Sequence, residues 1–595
     1  MIPATFARVW CIDFEFSHQP GGLPVKGIVN PGGLPVPLCM VAQEVRSHEL
    51  VRVWLADGAQ SCPIPFTKAD LMVAYHASAE VGCFLALGWP IPPVLDLCAE
   101  FRWLTCGWGR LPHGRGLLGA LLFHGLPTMG AEHKEEMQKL ALRGGLYTER
   151  EKKDLVDYCQ SDVGALVLLL EEMAPKIDWL RAVGIRGRYM TAVGKMERLG
   201  IPIDTKTLAL MAQNWEKLKI DLVQSVDPVG EVYEWKNNHF IFKQDRFALM
   251  LKHMNIPWPK SDAGKLLLNE KTFKDMARCH GGKIALIHDL RRALSEMKLN
   301  SLEVGPDERN RCMLSPFASK TGRNQPSTSK FIFGAASWLR GLIQPKKGRA
   351  LAYVDWSQQE FGIAAYLSGD TKMQEAYLSG DPYLAFAIQA GAVPPEGTKK
   401  THGAIRNQYK TCVLGVQYGI GAKSLGAQLG VGECWANHLL KMHKRTFQEF
   451  WAWSDGVEAW GLLRGELQSP FGWRCSFHKD PKPRSIRNWP MQSTGAEMMR
   501  LAAIYATEAG LNVCAPVHDA FLIEACATEI SSAVDRMQEC MRKAGEATLP
   551  GFTLRSDAAI TVYPDRFGGG SAMWDRVMGL LEKCTDTPGR PAVSS

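Results

Sequence analysis

Two aspartates that close apolar runs constrain this chain more than any other feature. Leu351-Ala352-Tyr353-Val354 reads as a buried strand that ends at Asp355. Asn512 to Ala525 reads as a β-hairpin with Val517-His518-Asp519-Ala520 at its centre. A carboxylate at the end of an apolar strand is fixed on rigid backbone at the margin of a sheet. If the two ends meet, the fold gathers widely separated segments into one sheet and sets two carboxylates face to face. Oxygen ligands on rigid elements are what two Mg²⁺ ions about 3.5–4 Å apart need for phosphoryl transfer.

The rest of the composition sets the frame. With 595 residues the chain is expected to form more than one domain, and 46% hydrophobic residues suffice for a real core. A net charge of +8 suits a polyanionic partner without demonstrating one. The 16 cysteines include no Cys-x-x-Cys pair, which excludes zinc-ribbon and thioredoxin readings and points to reduced, buried thiols in a cytosolic compartment. No apolar run reaches ~18 residues, so no membrane span is expected. Met1 to Ala7 lacks the pattern of a signal peptide.

Residues 1–185 read as an α/β unit, opened by a strand from Val9 to Phe16 and dominated by helical patterns from Glu132 to Leu170. Two near-copies of a hexapeptide, Pro20 to Val25 and Pro31 to Val36, are too short for a fold repeat and read as a surface loop or hairpin. A second unit starts near Met196 to Asp204. Residues 205–310 are mainly helical by pattern, Ser319 to Ser327 is a polar, basic loop, residues 371–465 are again helical, and residues 585–595 are expected to be disordered.

In a strand, residues two apart share a face, so Trp10, Ile12, Phe14 and Phe16 form one face while Asp13 and Glu15 point together from the other. Adjacent acids repel unless a cation lies between them; a solvated face and a cation site both suit the segment alone. In Tyr158-Cys159-Gln160-Ser161-Asp162, Tyr158 and Asp162 share a helix face, where the tyrosine could orient a water and the acid bind a metal, though a plain helix surface would also show this pair. Together these segments resemble the DEDD family of 3′→5′ exonucleases, tyrosine-bearing subtype, with an RNase H-like fold. The resemblance implies metal ligands Asp13, Glu15 and Asp162, with Tyr158 catalytic. It also requires a further acid: Glu80 and His76 stand where that family has Asp and Asn, and Asp96 is the fallback, its plain role being to cap a turn.

Asp355-Trp356-Ser357-Gln358-Gln359-Glu360 contains a Ser-x-x-Glu pattern that a helix capping box would explain. It also resembles motif A of family A (DNA polymerase I-like) DNA polymerases, with Trp356 in place of the usual Tyr. Arg406, Lys410, Leu414 and Tyr418, spaced by four, lie on one helix face; taken alone they suit a basic amphipathic surface helix, and in this order they resemble motif B of that family, with Leu414 where Phe or Tyr is usual. Val517-His518-Asp519-Ala520 resembles motif C, with Ala520 in place of Glu. The resemblance implies that Asp355 and Asp519 hold the metals and that Gln358, Leu414 and Tyr418 lie with the nucleotide. Arg406 and Lys410 would bind the triphosphate, and Glu360 would exclude a ribose 2′-hydroxyl. Arg323, Arg484, Asn488, Gln492 and His518 would contact primer and template. Lys320, Lys346, Lys347, Lys399 and Lys400 are further phosphate-contact candidates, each also readable as a solvated surface charge.

The implied fold class is multidomain α/β and α+β. An RNase H-like exonuclease domain (1–185) would precede a right-hand polymerase domain (186–595) with thumb about 205–325, palm about 326–370 and 486–584, and fingers about 371–485. The implied activity is dNTP-dependent primer extension with proofreading, using two Mg²⁺ per site with Mn²⁺ as a substitute. The implied partners are primer-template DNA and dNTPs, with room for a replisome or processivity partner; a monomer is expected, without membrane contact. With no 5′-nuclease domain ahead of it, the chain is similar to phage replicative enzymes, acting in the host bacterial cytoplasm. Rivals are an exonuclease whose polymerase half only binds DNA, motivated by Ala520 and Leu414, and a non-enzymatic DNA-binding replication factor; Glu360 disfavours a reverse transcriptase or RNA polymerase.

Overall fold

The computed structural model describes residues 2–23, 32–58, 61–128, 131–236, 239–261, 263–296, 302–477, 481–568 and 572–585. The first unit is a five-stranded sheet of order β3-β2-β1-β4-β5: β1 Val9–His18, β2 Pro35–Glu44, β3 Leu50–Trp54, β4 Leu71–Ala74 and β5 Val94–Asp96. β1 runs antiparallel to β2 and parallel to β4. Alternation along β1 places Trp10, Ile12 and Phe14 in one apolar cluster with Val81, Phe84 and Val193. The opposite face is not solvated: Val9 and Cys11 pack with Cys39, Val41, Leu155 and Cys159, the last two from helix Glu149–Met173. Asp13 and Glu15 therefore point towards a covering helix. Of the duplicated hexapeptide, residues 24–31 lie outside the described residues, and the second copy runs into β2 at Pro35.

The second sheet is antiparallel, with strands in the order Asn512–Val517, Ala520–Cys526, Arg349–Trp356, Ser556–Val562. Helix Ile530–Thr548 packs against its three last-named strands and against the long helix Pro483–Glu508. The 205–310 stretch holds helices, as expected, but also a hairpin of Tyr233–Lys236 and His239–Phe242. Its period-two runs, Tyr233-Glu234-Trp235-Lys236 and His239-Phe240-Ile241-Phe242, are too short to stand out among helical patterns. Thr585, expected to open the tail, closes helix Ala572–Thr585, and residues 586–595 lie outside the described residues.

Helix Arg188–Leu199 joins the two units. It packs on helix Ser78–Leu87 of the first, and on strand Asn512–Val517 and helix Pro483–Glu508 of the second. Gly194 makes this approach feasible, because a Cβ there would lie 2.5 Å from Val81 Cγ1. One apolar cluster consequently runs from Trp10 through Met196 to Val354 and Phe521. Among the described residues, no helix is long and apolar enough to cross a membrane.

Candidate active sites

The strand ending at Asp355 and the turn holding Asp519 do meet. The Trp356 N–H donates to the Asp519 carbonyl at 3.3 Å, and Asp355 pairs in register with Ala520. Burial first, then the charge and hydrogen bond of Asp519, and then the charge of Asp557, push the Asp355 carboxyl up to about 7. One Asp355 oxygen, Oδ1, is buried without a hydrogen-bond partner. Two facing carboxylates with an unsatisfied buried oxygen fit a cation bound between them. The backbone on both sides is unusual: Gln358 (φ 50°) and His518 (φ 56°) occupy the left-handed region, which non-glycine residues adopt only where the surroundings over-determine it.

The capping-box reading of Ser357 and Glu360 fails. Helix Gln359–Ser368 starts after Gln358, which makes no side-chain cap, while Ser357 Oγ donates to Asp557 Oδ2. Glu360 instead gathers a polar cluster. It accepts from the Tyr418 hydroxyl at 2.8 and 3.0 Å and from Gln492 Nε2, with Arg323 at 3.8 Å. Residues from the Asp355 segment, the Arg406 helix, the basic loop and the long Pro483–Glu508 helix thus converge on one carboxylate.

Arg406, Lys410 and Leu414 lie on helix Gly403–Gln417, and Tyr418 is its C-cap. Arg406 Nε donates to Asp381. Arg406 and Lys410 both stand over the Tyr383 ring, 5.4 and 5.6 Å from its centroid. Lys410, Leu414, Tyr418 and Arg484 line one cleft. Along the long helix, Gln492 reaches the Glu360 cluster and Asn488 Oδ1 is buried without a partner. Arg323 and His518 line a neighbouring pocket with Arg500. The basic loop is firmly held: the Lys320 carbonyl accepts from Trp473 Nε1 (3.2 Å), Trp489 Nε1 (2.9 Å) and Cys106 Sγ (3.2 Å), and Arg500 Nη1 donates to the Gly322 carbonyl at 2.7 Å. Lys320, Lys346, Lys347, Lys399 and Lys400 are exposed, and Lys346 is paired with Glu308 at 3.2 Å.

In the first unit, carboxylate oxygens of Asp13, Glu15 and Asp162 all lie within 4.8 Å of one another. Burial, then the charge of Asp162, pushes Asp13 up to about 8. Glu15 and Glu80 are held well above the usual carboxylate range by burial first and the charge of Asp13 second. Asp13 Oδ2 and Glu80 Oε2 are buried without partners, so this donor set also fits a bound cation. Asp162 lies one turn after Tyr158 on helix Glu149–Met173, whose start is fixed by the Thr148–Glu151 capping box. Tyr158 is 3% exposed, and burial followed by the Asp162 charge raises its hydroxyl pKa. Asp96 takes the other role foreseen for it: it caps helix Leu97–Leu104, accepting from Cys98 N at 2.8 Å and His76 N at 3.1 Å. Glu80 feels the charge of Asp13 but stands outside the Asp13–Glu15–Asp162 cluster.

Sequence reasoning missed four residues at these sites. Lys134 lies 3.8 Å from Asp162, Asp381 holds Arg406, Tyr383 lies under both cations, and Asp557 binds Ser357. Only Asp381 left a local signal, in the helix-starting Gly380-Asp381-Pro382.

The fold and its sites define a class: a multidomain protein with one acid-lined centre on a five-stranded mixed sheet and a second on an antiparallel sheet flanked by a cationic helix. Residues 334–560 match the model of DNA polymerase family A. It is 27% identical over 226 residues to a thermostable DNA polymerase I of Thermus thermophilus, a stretch that is 36% of this chain and 27% of that protein. It therefore spans about a quarter of that relative's length. It is 24% identical over 381 residues to DNA polymerase I of Aquifex aeolicus, covering 61% of this chain and 63% of the relative. Its fold is similar to that of the solved POL domain of Pol1 from M. smegmatis in complex with DNA primer-template and dNTP, at a TM-score of 0.68 and 16% identity, over 93% of this chain and 95% of that one.

Proposed function

We propose that the chain is a template-directed DNA polymerase that extends primers with dNTPs and proofreads them with a 3′→5′ exonuclease. The observation that carries the reading is the convergence of Asp355 and Asp519 beside the Glu360–Tyr418–Gln492 cluster, within the segment that matches family A. Asp355, Asp519 and their unsatisfied oxygen would hold divalent cations, Mg²⁺ or Mn²⁺; such ions, when bound, lower the pKa of an attacking hydroxyl and stabilise charge on the phosphoryl group. Arg406 and Lys410 bind the triphosphate, which competes with Asp381 for the guanidinium. His518 and Arg323 border the position of the primer end. Gln492 and Asn488 test base-pair shape through minor-groove acceptors common to all pairs. In the first unit, Asp13, Glu15, Glu80 and Asp162 form the exonuclease metal set and Tyr158 orients the water. The domain plan is a 1–185 exonuclease followed by a 186–595 polymerase, working in the cytoplasm on primer-template DNA as a monomer.

Primer extension tests the reading: purified protein with a labelled primer-template, Mg²⁺ and all four dNTPs gives full-length product. Degradation without any extension favours the second reading, an exonuclease with a DNA-binding but inactive polymerase half, for which Ala520 and Leu414 are the motivation.

Glu360 gives a sharper test. Its carboxylate is held by Tyr418 and Gln492 and would fill the space a ribose 2′-hydroxyl needs. Glu360→Ala is expected to raise ribonucleotide incorporation relative to dNTP by about a hundredfold, the order set by a steric or hydrogen-bond filter worth about 3 kcal/mol. Single-nucleotide incorporation of rNTP against dNTP measures it. An unchanged ratio removes Glu360 from this role.

A further inference from the structure

Asp355 sits on a strand with neighbours on both sides. In register it stands opposite Ala520 on one side and opposite Asp557 on the other. Directly opposed residues of antiparallel strands project from the same face, with Cβ atoms about 4.5–5.5 Å apart. The row Ala520–Asp355–Asp557 therefore crosses one face of the sheet, with a methyl group at one end and a carboxylate at the other. Asp557 is exposed on the outer strand Ser556–Val562, and its charge acts on Asp355. Ser357 Oγ holds one Asp557 oxygen. Ser357 is itself fixed, its N–H donating to the Arg555 carbonyl at 2.9 Å and its carbonyl accepting from the Tyr377 hydroxyl at 3.0 Å. The nearby Arg555 guanidinium is turned to Gln358 and the Gly380 carbonyl, at 3.5 and 3.4 Å. Two like charges directly opposite on a sheet are unfavourable without a compensating cation, and the Asp355 oxygen without a partner lies in the same row.

We propose that Asp557 is the third carboxylate of the polymerase centre and contributes to divalent-cation binding from the flank of Asp355 opposite Ala520. The inference rests on the polymerase reading above. It deepens that reading by assigning to another strand the oxygen that position 520 lacks. Ser357 is the positioning residue that holds the new acid at the sheet end.

Mn²⁺ binding tests it, read by electron paramagnetic resonance on the full chain with the first centre silenced by Asp13→Asn. The sample contains a dideoxy-terminated primer-template and the matching dNTP. Asp557→Asn is expected to weaken Mn²⁺ binding roughly tenfold and to raise by a similar factor the Mg²⁺ concentration that half-saturates extension. Asp557→Glu, which keeps the charge, retains binding. Adding Ala520→Glu to Asp557→Asn returns the affinity towards the starting value. Unchanged Mn²⁺ affinity in Asp557→Asn overturns the proposal, as does a double variant that melts like wild type yet binds no better than Asp557→Asn alone. If the unmutated chain extends no primer, the polymerase reading fails on its own, while the Mn²⁺ measurement still decides the place of Asp557.

Discussion

Asp355→Asn abolishes primer extension, by about a thousandfold or more, and leaves release of 3′-terminal nucleotides at the wild-type rate. The expectation follows from geometry: Asp355 faces Asp519 and carries a buried oxygen with no partner. Losing that oxygen removes about 4 kcal/mol or more of stabilisation that only a cation-supported transition state receives. The isosteric amide keeps the strand pairing and creates no cavity. It also changes stability in the direction opposite to activity. The folded carboxyl titrates near 7, against an ordinary 3.8. The metal-free fold therefore holds this proton more tightly than the unfolded chain does, and stability is lost as pH rises from about 4 to about 7. Above that window Asn avoids the penalty, so at pH 8 without metal the variant melts at a higher temperature than the parent, and Mg²⁺ stabilises it less. Extension assays paired with thermal melts check both parts. Residual extension above a few percent would displace Asp355 from the centre of the chemistry.

Asp13→Asn is expected to remove terminal nucleotide release by a similar factor while sparing extension. Asp13 is the acid whose charge acts on both Glu15 and Glu80, and it shares a 4.8 Å cluster with Glu15 and Asp162. Its own carboxyl is pushed up to about 8, so the metal-free fold loses stability as pH rises from about 4 to about 8, a penalty the amide avoids. Loss of activity then cannot be assigned to unfolding if the variant melts at or above the wild-type temperature. Degradation of a labelled single strand with Mg²⁺, compared with extension of a matched primer, separates the two centres. Full degradation by Asp13→Asn would return these acids to a structural role.

Which side chains share a face was legible in sequence because these residues sit in short periodic runs; joining the runs into two centres came from the resemblance to exonuclease and polymerase motifs. Asp13 and Glu15 on one strand, Tyr158 and Asp162 on one helical turn, and Asp355 before a helix need no tertiary information. Asp557 was invisible because it depends on the register of an outer strand about 200 residues away in sequence. Nothing in Ser556-Asp557-Ala558-Ala559 states which residue it will face. The Ser357–Glu360 spacing misled for the same reason: a distant acid takes the serine hydroxyl and a distant tyrosine takes the glutamate. Asp96 and Glu80 were separable only once hydrogen bonds were assigned: Asp96 ends a strand and caps the following helix, while Glu80 lies in the first turn of helix Ser78–Leu87 with one oxygen unpartnered.

The Lys320 carbonyl, which receives donors from Cys106, Trp473 and Trp489, makes the first unit part of the scaffold on which the second is built. Trp103 adds a bond to the Gly472 carbonyl, and the Arg474 guanidinium lies 4.2 Å from the Trp103 ring centroid. The border expected at residue 185 is thus not a seam in the molecule, and one helical turn, Ala182–Gly187, runs through it. A chain cut there would lose an edge of the cradle that shapes its basic loop, so the second unit is not an interchangeable cassette: one centre is isolated by mutating the other unit and not by deleting it.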